Sequence, residues 1–316
     1  MEVIPLGHSH IQVSKLCLGA VNFGTKLDRA QSFAILDRYY EAGGRFIDTA
    51  NNYSFFYEGG EGGESETVLG EWMAERGNRE ELVIATKVGF NTPVIGHSLS
   101  AETIKSEFEN SLKRLKTEYV DLYYSHKDHR ADPLEETLES YHRLHRQGKI
   151  RAIGCSNHVA WRIEEAREVS RKHGWPEYCC IQQKYSYLRP VPGTFDITHP
   201  IADGPLFDYV RHKGDVTLLA YSPTLSGAYT RADREISAVY RGADTDARMA
   251  ALKKVSAETG ATPIQVVFAW MLASDPMVLP LLTAGTIEQM DENIGSLDIT
   301  LSLEQMELLN TAGNPE

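Results

Sequence analysis

What the chain lacks narrows it first. Only four of its 316 residues are cysteine, Cys17, Cys155, Cys179 and Cys180, and none forms a CxxC pair. Cys155, Cys179 and Cys180 fall in apolar, strand-like runs and read as buried free thiols of a reducing compartment, against a disulfide framework. No apolar run approaches the ~18 residues that cross a bilayer. The opening residues, MEVIPLGHSH, hold no basic segment followed by an apolar core, so no signal peptide is expected and the expected location is cytoplasmic. Positive charge is also scarce: 32 Lys and Arg face 44 Asp and Glu, a net charge of −12. That argues against a nucleic-acid-binding surface. No GxGxxG follows a strand and opens a helix, and the glycine cluster at 58–66 (EGGEGGESE) sits in an acidic loop instead. A Rossmann dinucleotide site is therefore not expected.

What is present is a regular alternation. Residues 1–15 read as a small hairpin turning at Gly7-His8-Ser9. Leu16–Gly19 is the first barrel-type strand, and Asp28 caps a helix through Tyr40, with Phe33, Leu36 and Tyr40 at helical spacing. Further strands follow at 46–47, 82–87, 119–124, 150–155, 178–182, 216–220 and 277–282. Leu82–Lys87 is a continuous apolar run, as expected of a strand covered on both faces. Ser100 caps a helix whose Ile104, Phe108, Leu112 and Leu115 form one stripe. Asp132-Pro133 reads as the cap and first position of another, with Glu135 closing a capping box. The polar stretch 223–245 is too long for an ordinary connection and reads as functional. Helices over 246–259, 262–273, 286–294 and 303–311 complete the chain. Eight strand–helix alternations in about this length predict a (β/α)8 TIM barrel with a short N-terminal hairpin and extra C-terminal helices, one domain over 1–316. A doubly wound sheet is the alternative.

Barrel enzymes carry their chemistry at the carboxyl ends of the strands. Those ends read Asp48, Lys87, His126, Ser156-Asn157, Gln182 and Tyr221, with Tyr53 just past Asp48. A lone strand-end carboxylate and loop phenol read equally as a turn cap and a surface aromatic; Lys87 and His126 decide otherwise. A tyrosine of pKa about 10 is a poor acid at neutral pH. A lysine ammonium beside it is expected to lower that pKa, an aspartate to hold the lysine, and a histidine to orient a carbonyl oxygen. No metal-ligand spacing, no nucleophilic Ser or Cys beside a His, and no carboxylate pair is found. Proton donation to a carbonyl fits, hydrolysis does not, and no metal is expected.

The segments LCLGAVNFG, GRFIDTANNY, IATKVG, DLYYSH, PLEETLESYHRLHRQGKIRAIGCSN, IQQKYS, LLAYSP and MDENI together resemble the aldo-keto reductase family across nearly the whole chain. The resemblance implies a catalytic tetrad of Asp48, Tyr53, Lys87 and His126. It also implies a nicotinamide cofactor across the barrel mouth, NADP by family habit with NAD open. Ser156, Asn157 and Gln182 would hold the carboxamide and Tyr221 would stack on the nicotinamide ring. Ser222, Leu225 and Gly227 would line the pyrophosphate, and Gly19, Val21, Asn22 and Asp48 would lie along the first loops. Gly285, Thr286, Gln289, Glu292 and Asn293 complete the expected cofactor contacts. Many members carry a basic residue for the 2′-phosphate in the segment after the last strand; here Thr283–Asn293 has none, and the helix start at Gly285-Thr286 is the expected substitute.

Phe23, Phe55 and Phe90, with Tyr53, His126 and Lys127, are the expected substrate contacts. The polar run Lys127-Asp128-His129 suggests an aldehyde, ketone or sugar-like carbonyl. The expected partner is thus a small-molecule carbonyl or alcohol, with neither nucleic acid nor membrane. Two alternatives stay open: a sugar dehydrogenase working toward oxidation, and a nicotinamide-binding subunit that regulates a partner protein.

Overall fold

At the N-terminus, β1 (Val3–Pro5) pairs antiparallel with β2 (Gln12–Ser14). This hairpin closes one end of a barrel. Its Leu6, Ile11 and Val13 pack into the same buried cluster as Cys17, Phe46, Val83, Ala85, Leu122, Cys180 and Leu279. Gly7 at the turn has φ +52, and a Cβ there would stand 2.2 Å from the Cys179 carbonyl oxygen, so only glycine lets the hairpin seat this deeply. The computed structural model describes residues 1–91, 96–194, 196 and 198–314.

The barrel strands are β3 (Cys17–Gly19), β4 (Phe46–Asp48), β5 (Val83–Val88), β6 (Val120–Ser125), β7 (Ile150–Ser156), β8 (Tyr178–Lys184), β9 (Thr217–Tyr221) and β10 (Val278–Leu282). They pair in parallel in chain order, and β10 returns to β3, so the sheet closes on itself. Helices α1 (Arg29–Glu41), α2 (Glu64–Arg76), α3 (Ala101–Leu115), α4 (Leu134–Arg146), α5 (Ala160–His173) and α6 (Gly204–Lys213) bridge successive strands. Between β9 and β10 come α7 (Ala243–Thr259) and the apolar α8 (Pro263–Ala273); α9 (Ile287–Gly295) and α10 (Leu303–Thr311) end the chain. This is a (β/α)8 barrel, with α7 and α10 packed on each other outside the eightfold alternation. All four cysteines are free and buried. No helix among the described residues is long and apolar enough to cross a membrane.

Two local expectations change. Tyr39 is the fully buried aromatic of α1, and its hydroxyl lies 2.7 and 2.9 Å from the carbonyl oxygens of Leu16 and Phe46, its one proton shared between them. Tyr40 is half-buried at the edge of the core, its ring under the Arg45 guanidinium and its hydroxyl on Glu81. Asp132 does not cap α4. Pro133 is the residue preceding that helix, without a side-chain cap. The Asp132 carboxylate instead accepts from the Leu99 amide, the Ser98 hydroxyl and His129, which holds the loop before α3. A buried amide needing an acceptor outcompetes the helix end.

Side-chain parity places the chemistry. Successive strand residues face opposite sides, so the inward rows read Phe46-Asp48, Val83-Ala85-Lys87, Leu122-Tyr124-His126, Cys180-Gln182 and Leu219-Tyr221. The lower members of each row are apolar or weakly polar and fill the barrel. The last member of each row is polar and opens the mouth.

Candidate active site

Asp48 and Lys87 have no exposed surface. The Lys87 ammonium uses three donors: one to Asp48 Oδ1, one to the Thr49 carbonyl at 2.8 Å and one to Tyr53 Oη at 2.8 Å. Tyr53 Oη in turn donates to Asp48 Oδ1 at 3.2 Å. The phenol therefore sits between a cation and an anion. Its loop is pinned: the Thr49 amide donates to the Ala85 carbonyl and the Asn51 amide to the Lys87 carbonyl. Asn51 Nδ2 also donates to the buried Glu107 at 2.5 Å. The neighbouring strand β5 and helix α3 thus fix Tyr53 although it lies in a turn.

The charge states follow from burial. Tyr53 is pushed well above 10, first by burial and then by the Asp48 charge and the hydrogen bond to it. This corrects the expectation of a lowered phenol. Lys87 stabilises a phenolate, but in the resting site burial and Asp48 together favour the protonated form. Burial lowers Lys87 from its ordinary value, and Asp48 opposes that shift. His126 falls well below 6.5 through burial and then the Lys87 charge, so it is neutral at physiological pH. Its Nδ1 is buried without a partner among the described residues. A proton there would be an orphaned donor, so Nε2 is assigned the N–H. The ring stands edge-on to Tyr53 at 6.0 Å and 5.1 Å from Phe90.

Above this cluster opens a cavity of ≈ 880 Å³, at the upper end of the range for small-molecule sites. Its wall includes Tyr53 and His126 and, of the expected cofactor contacts, Val21, Asn22, Ser156, Asn157, Gln182, Tyr221, Ser222, Gly227, Gly285, Thr286, Gln289, Glu292 and Asn293. Asn157, with φ +57, is locked: Tyr221 Oη donates to its Oδ1 at 2.7 Å, and its Nδ2 donates to the His126 carbonyl at 3.0 Å. Gln182 Nε2 donates to Asp48 Oδ2 at 2.9 Å. Thr286 caps α9, accepting from the Gln289 amide, which leaves that helix start on the cavity.

Several expected contacts fall off the wall. Asp48 lies beneath the floor and Gly19 packs inside the barrel wall against Leu281 and Leu282. Phe23 is fully buried in the outer core, and Leu225 packs against that core. Phe55 does not line the cavity, whereas its neighbours Phe56 and Tyr57 do. Lys127 is also off the wall, its ammonium 5.2 Å from the Phe90 ring centre. Asp128 pairs with Arg130 and Arg162, and His129 with Asp132, so the polar run after His126 is committed elsewhere.

Sequence reasoning missed Lys26, Asn52, His199, Thr224, Ser226, Thr230, Arg231 and Arg234, all of which line the cavity. The arginines were findable: they lie in the overlong 223–245 stretch, which had already been read as functional. That stretch carries two short 3-10 turns, Leu225–Gly227 and Ala238–Tyr240. Arg231 is half-exposed and pairs with Asp233.

A family model described as Aldo/keto reductase family matches residues 15–314. The chain is similar to norsolorinic acid reductase stcV of Emericella nidulans, 34% identical over 320 residues, spanning 94% of this chain and 77% of that protein. It is 31% identical over 338 residues to Protein tas of Escherichia coli, with 96% and 94% covered. It is 30% identical over 340 residues to aryl-alcohol dehydrogenase [NADP(+)] of Phanerodontia chrysosporium, with 95% and 82% covered.

Proposed function

The chain belongs to the aldo/keto reductase family, and from that membership we propose that it is a nicotinamide-dependent carbonyl reductase in which Tyr53 is the general acid. The observation that carries this reading is the buried Asp48–Lys87–Tyr53 hydrogen-bonded cluster beside a neutral His126 on the floor of the cavity. His126 Nε2–H orients the carbonyl oxygen. Tyr53 Oη gives up its proton as that oxygen becomes an alkoxide, a stronger base than a phenolate, so a raised resting pKa is no obstacle. Lys87 stabilises the phenolate left behind. Asp48 holds the lysine and is not itself the acid. Alcohol oxidation uses the same groups in reverse.

The donor set fits a dinucleotide. Ser156, Asn157, Gln182 and Tyr221 would hold the nicotinamide end, and Ser222 and Gly227 the pyrophosphate. The start of α9 with Arg231 and Arg234 would hold further phosphate. When bound, the nicotinamide supplies the hydride. The two arginines provide the positive charge missing from 283–293 and support NADP over NAD. Phe56, Tyr57, Phe90 and His199 line the same cavity. Together with a relative named for an aryl alcohol, they support an aryl aldehyde or ketone over a sugar-like carbonyl, whose polar contacts are committed elsewhere.

A carbonyl panel from aromatic aldehydes to keto-sugars, followed by NADPH and NADH absorbance, tests the reading. Aryl carbonyls should turn over with NADPH. Tyr53→Phe should lose nearly all turnover while nucleotide binding, read by fluorescence, persists. Unchanged turnover in that variant would defeat the assignment.

A further inference from the structure

Gln182 makes a bond that a cofactor clamp alone does not need. It ends the inward row of β8, and β8 stands four places round the eight-stranded barrel from β4, which carries Asp48. Its amide therefore reaches Asp48 from the far side of the barrel, donating from Nε2 to Oδ2 at 2.9 Å. The other carboxylate oxygen, Oδ1, accepts from both Lys87 and Tyr53. Asp48 has no exposed surface, so its carboxylate is held by donors from the protein.

We propose that Gln182 is a positioning residue for proton delivery: by bracing Asp48 across the barrel it sets the ionisation of the Lys87–Tyr53 pair. This rests on the reductase reading for its functional meaning. The amide has two N–H groups and one carbonyl oxygen, and one N–H is used on Asp48. The remaining N–H and oxygen are what a nicotinamide carboxamide would meet, so one side chain serves both the cofactor end and the proton donor.

The direction of the effect follows from the dipole. A donated N–H stabilises negative charge on Asp48 and on a nearby phenolate, and it opposes positive charge on Lys87. Removing it raises the pKa of all three. The other titratable groups packed around the cluster are Cys17, Tyr124, Cys180, Tyr221, His126 and Glu66. Burial holds the Cys17 and Cys180 thiols and the Tyr124 and Tyr221 phenols protonated. His126 is neutral. Among the described residues none of these donates to Asp48 Oδ2 in place of the Gln182 amide.

The test uses the full chain with carbon-13-labelled lysine, Lys87 being assigned by its loss in Lys87→Met. The Lys87 titration is followed by NMR in the wild type, Gln182→Met and Gln182→Glu, without nucleotide or substrate. Gln182→Met should move it upward by roughly one unit. Gln182→Glu, which once ionised adds negative charge beside the pair, should move it further. The pH dependence of alcohol oxidation at saturating cofactor should move in the same order. An unchanged Lys87 titration in both variants, with only nucleotide affinity reduced, would overturn the proposal and leave Gln182 a plain clamp. A wild type that turns over no carbonyl would defeat the reductase reading instead, since the Lys87 titration is read without turnover.

Discussion

Replacing Lys87 by Met removes three hydrogen bonds at once, to Asp48, Thr49 and Tyr53, while keeping a chain of similar length in a site with no exposed surface. Two costs follow. Asp48 becomes a buried carboxylate without its cation. Breaking a buried pair from one side costs about 3–5 kcal/mol. Gln182 and Tyr53 still donate to Asp48, at 2.9 and 3.2 Å, which puts the expected loss near the lower end, about 3 kcal/mol. With a urea slope of about 3 kcal/mol per molar, the unfolding midpoint should fall by about 1 M. The catalytic cost is separate. Lys87 is the one cation that hydrogen-bonds Tyr53 among the described residues. Positioned acid–base groups contribute about 100- to 10,000-fold, or about 3–5 kcal/mol of barrier. Carbonyl reduction at neutral pH should fall by that factor with cofactor affinity little changed. The assay is kcat for an aryl aldehyde with saturating NADPH, beside a urea melt. Normal kcat at neutral pH would refute the phenolate-stabilising role of Lys87, whatever the melt shows.

Two further outcomes follow from the same geometry. Arg231→Ala and Arg234→Ala should weaken NADPH binding roughly tenfold each while leaving NADH nearly unaffected, read by fluorescence titration; equal loss for both nucleotides would remove the 2′-phosphate role. Because Tyr53 is pushed well above 10, it stays protonated through the neutral range, and reduction should be flat there. Oxidation needs the phenolate, so its kcat should climb steadily as pH rises into the alkaline range. An oxidation optimum on the acid side of neutral would contradict this sign.

Much of the fold was legible because its signals are local. The apolar run Leu82–Lys87, the Ser100 cap and the glycine stops each mark one element, and eight repeats of that grammar match a barrel, which the pairing of β10 with β3 closes. The clustering of Asp48, Lys87 and His126 was legible for the same reason: strand parity and a strand end are both one-dimensional facts, so all three could be placed at the mouth without coordinates. Tyr39 against Tyr40 was not, since adjacent positions on a short helix differ only in which neighbour they meet. Asp132 was misassigned because its acceptor role is settled by the Leu99 amide, 33 residues away.

The amino-acid order by itself determined the alternation, the polar strand ends and the family motifs, each carried by residues a few positions apart. Only the tertiary structure decided the charge states, because a pKa depends on burial and on groups brought from other strands. It turned Tyr53 from an expected lowered phenol into a raised one, and it brought Arg231 and Arg234 to the cavity from between two short 3-10 turns. It also joined Gln182 to Asp48 across 134 positions of chain, since barrel closure makes neighbours of residues that no local pattern relates.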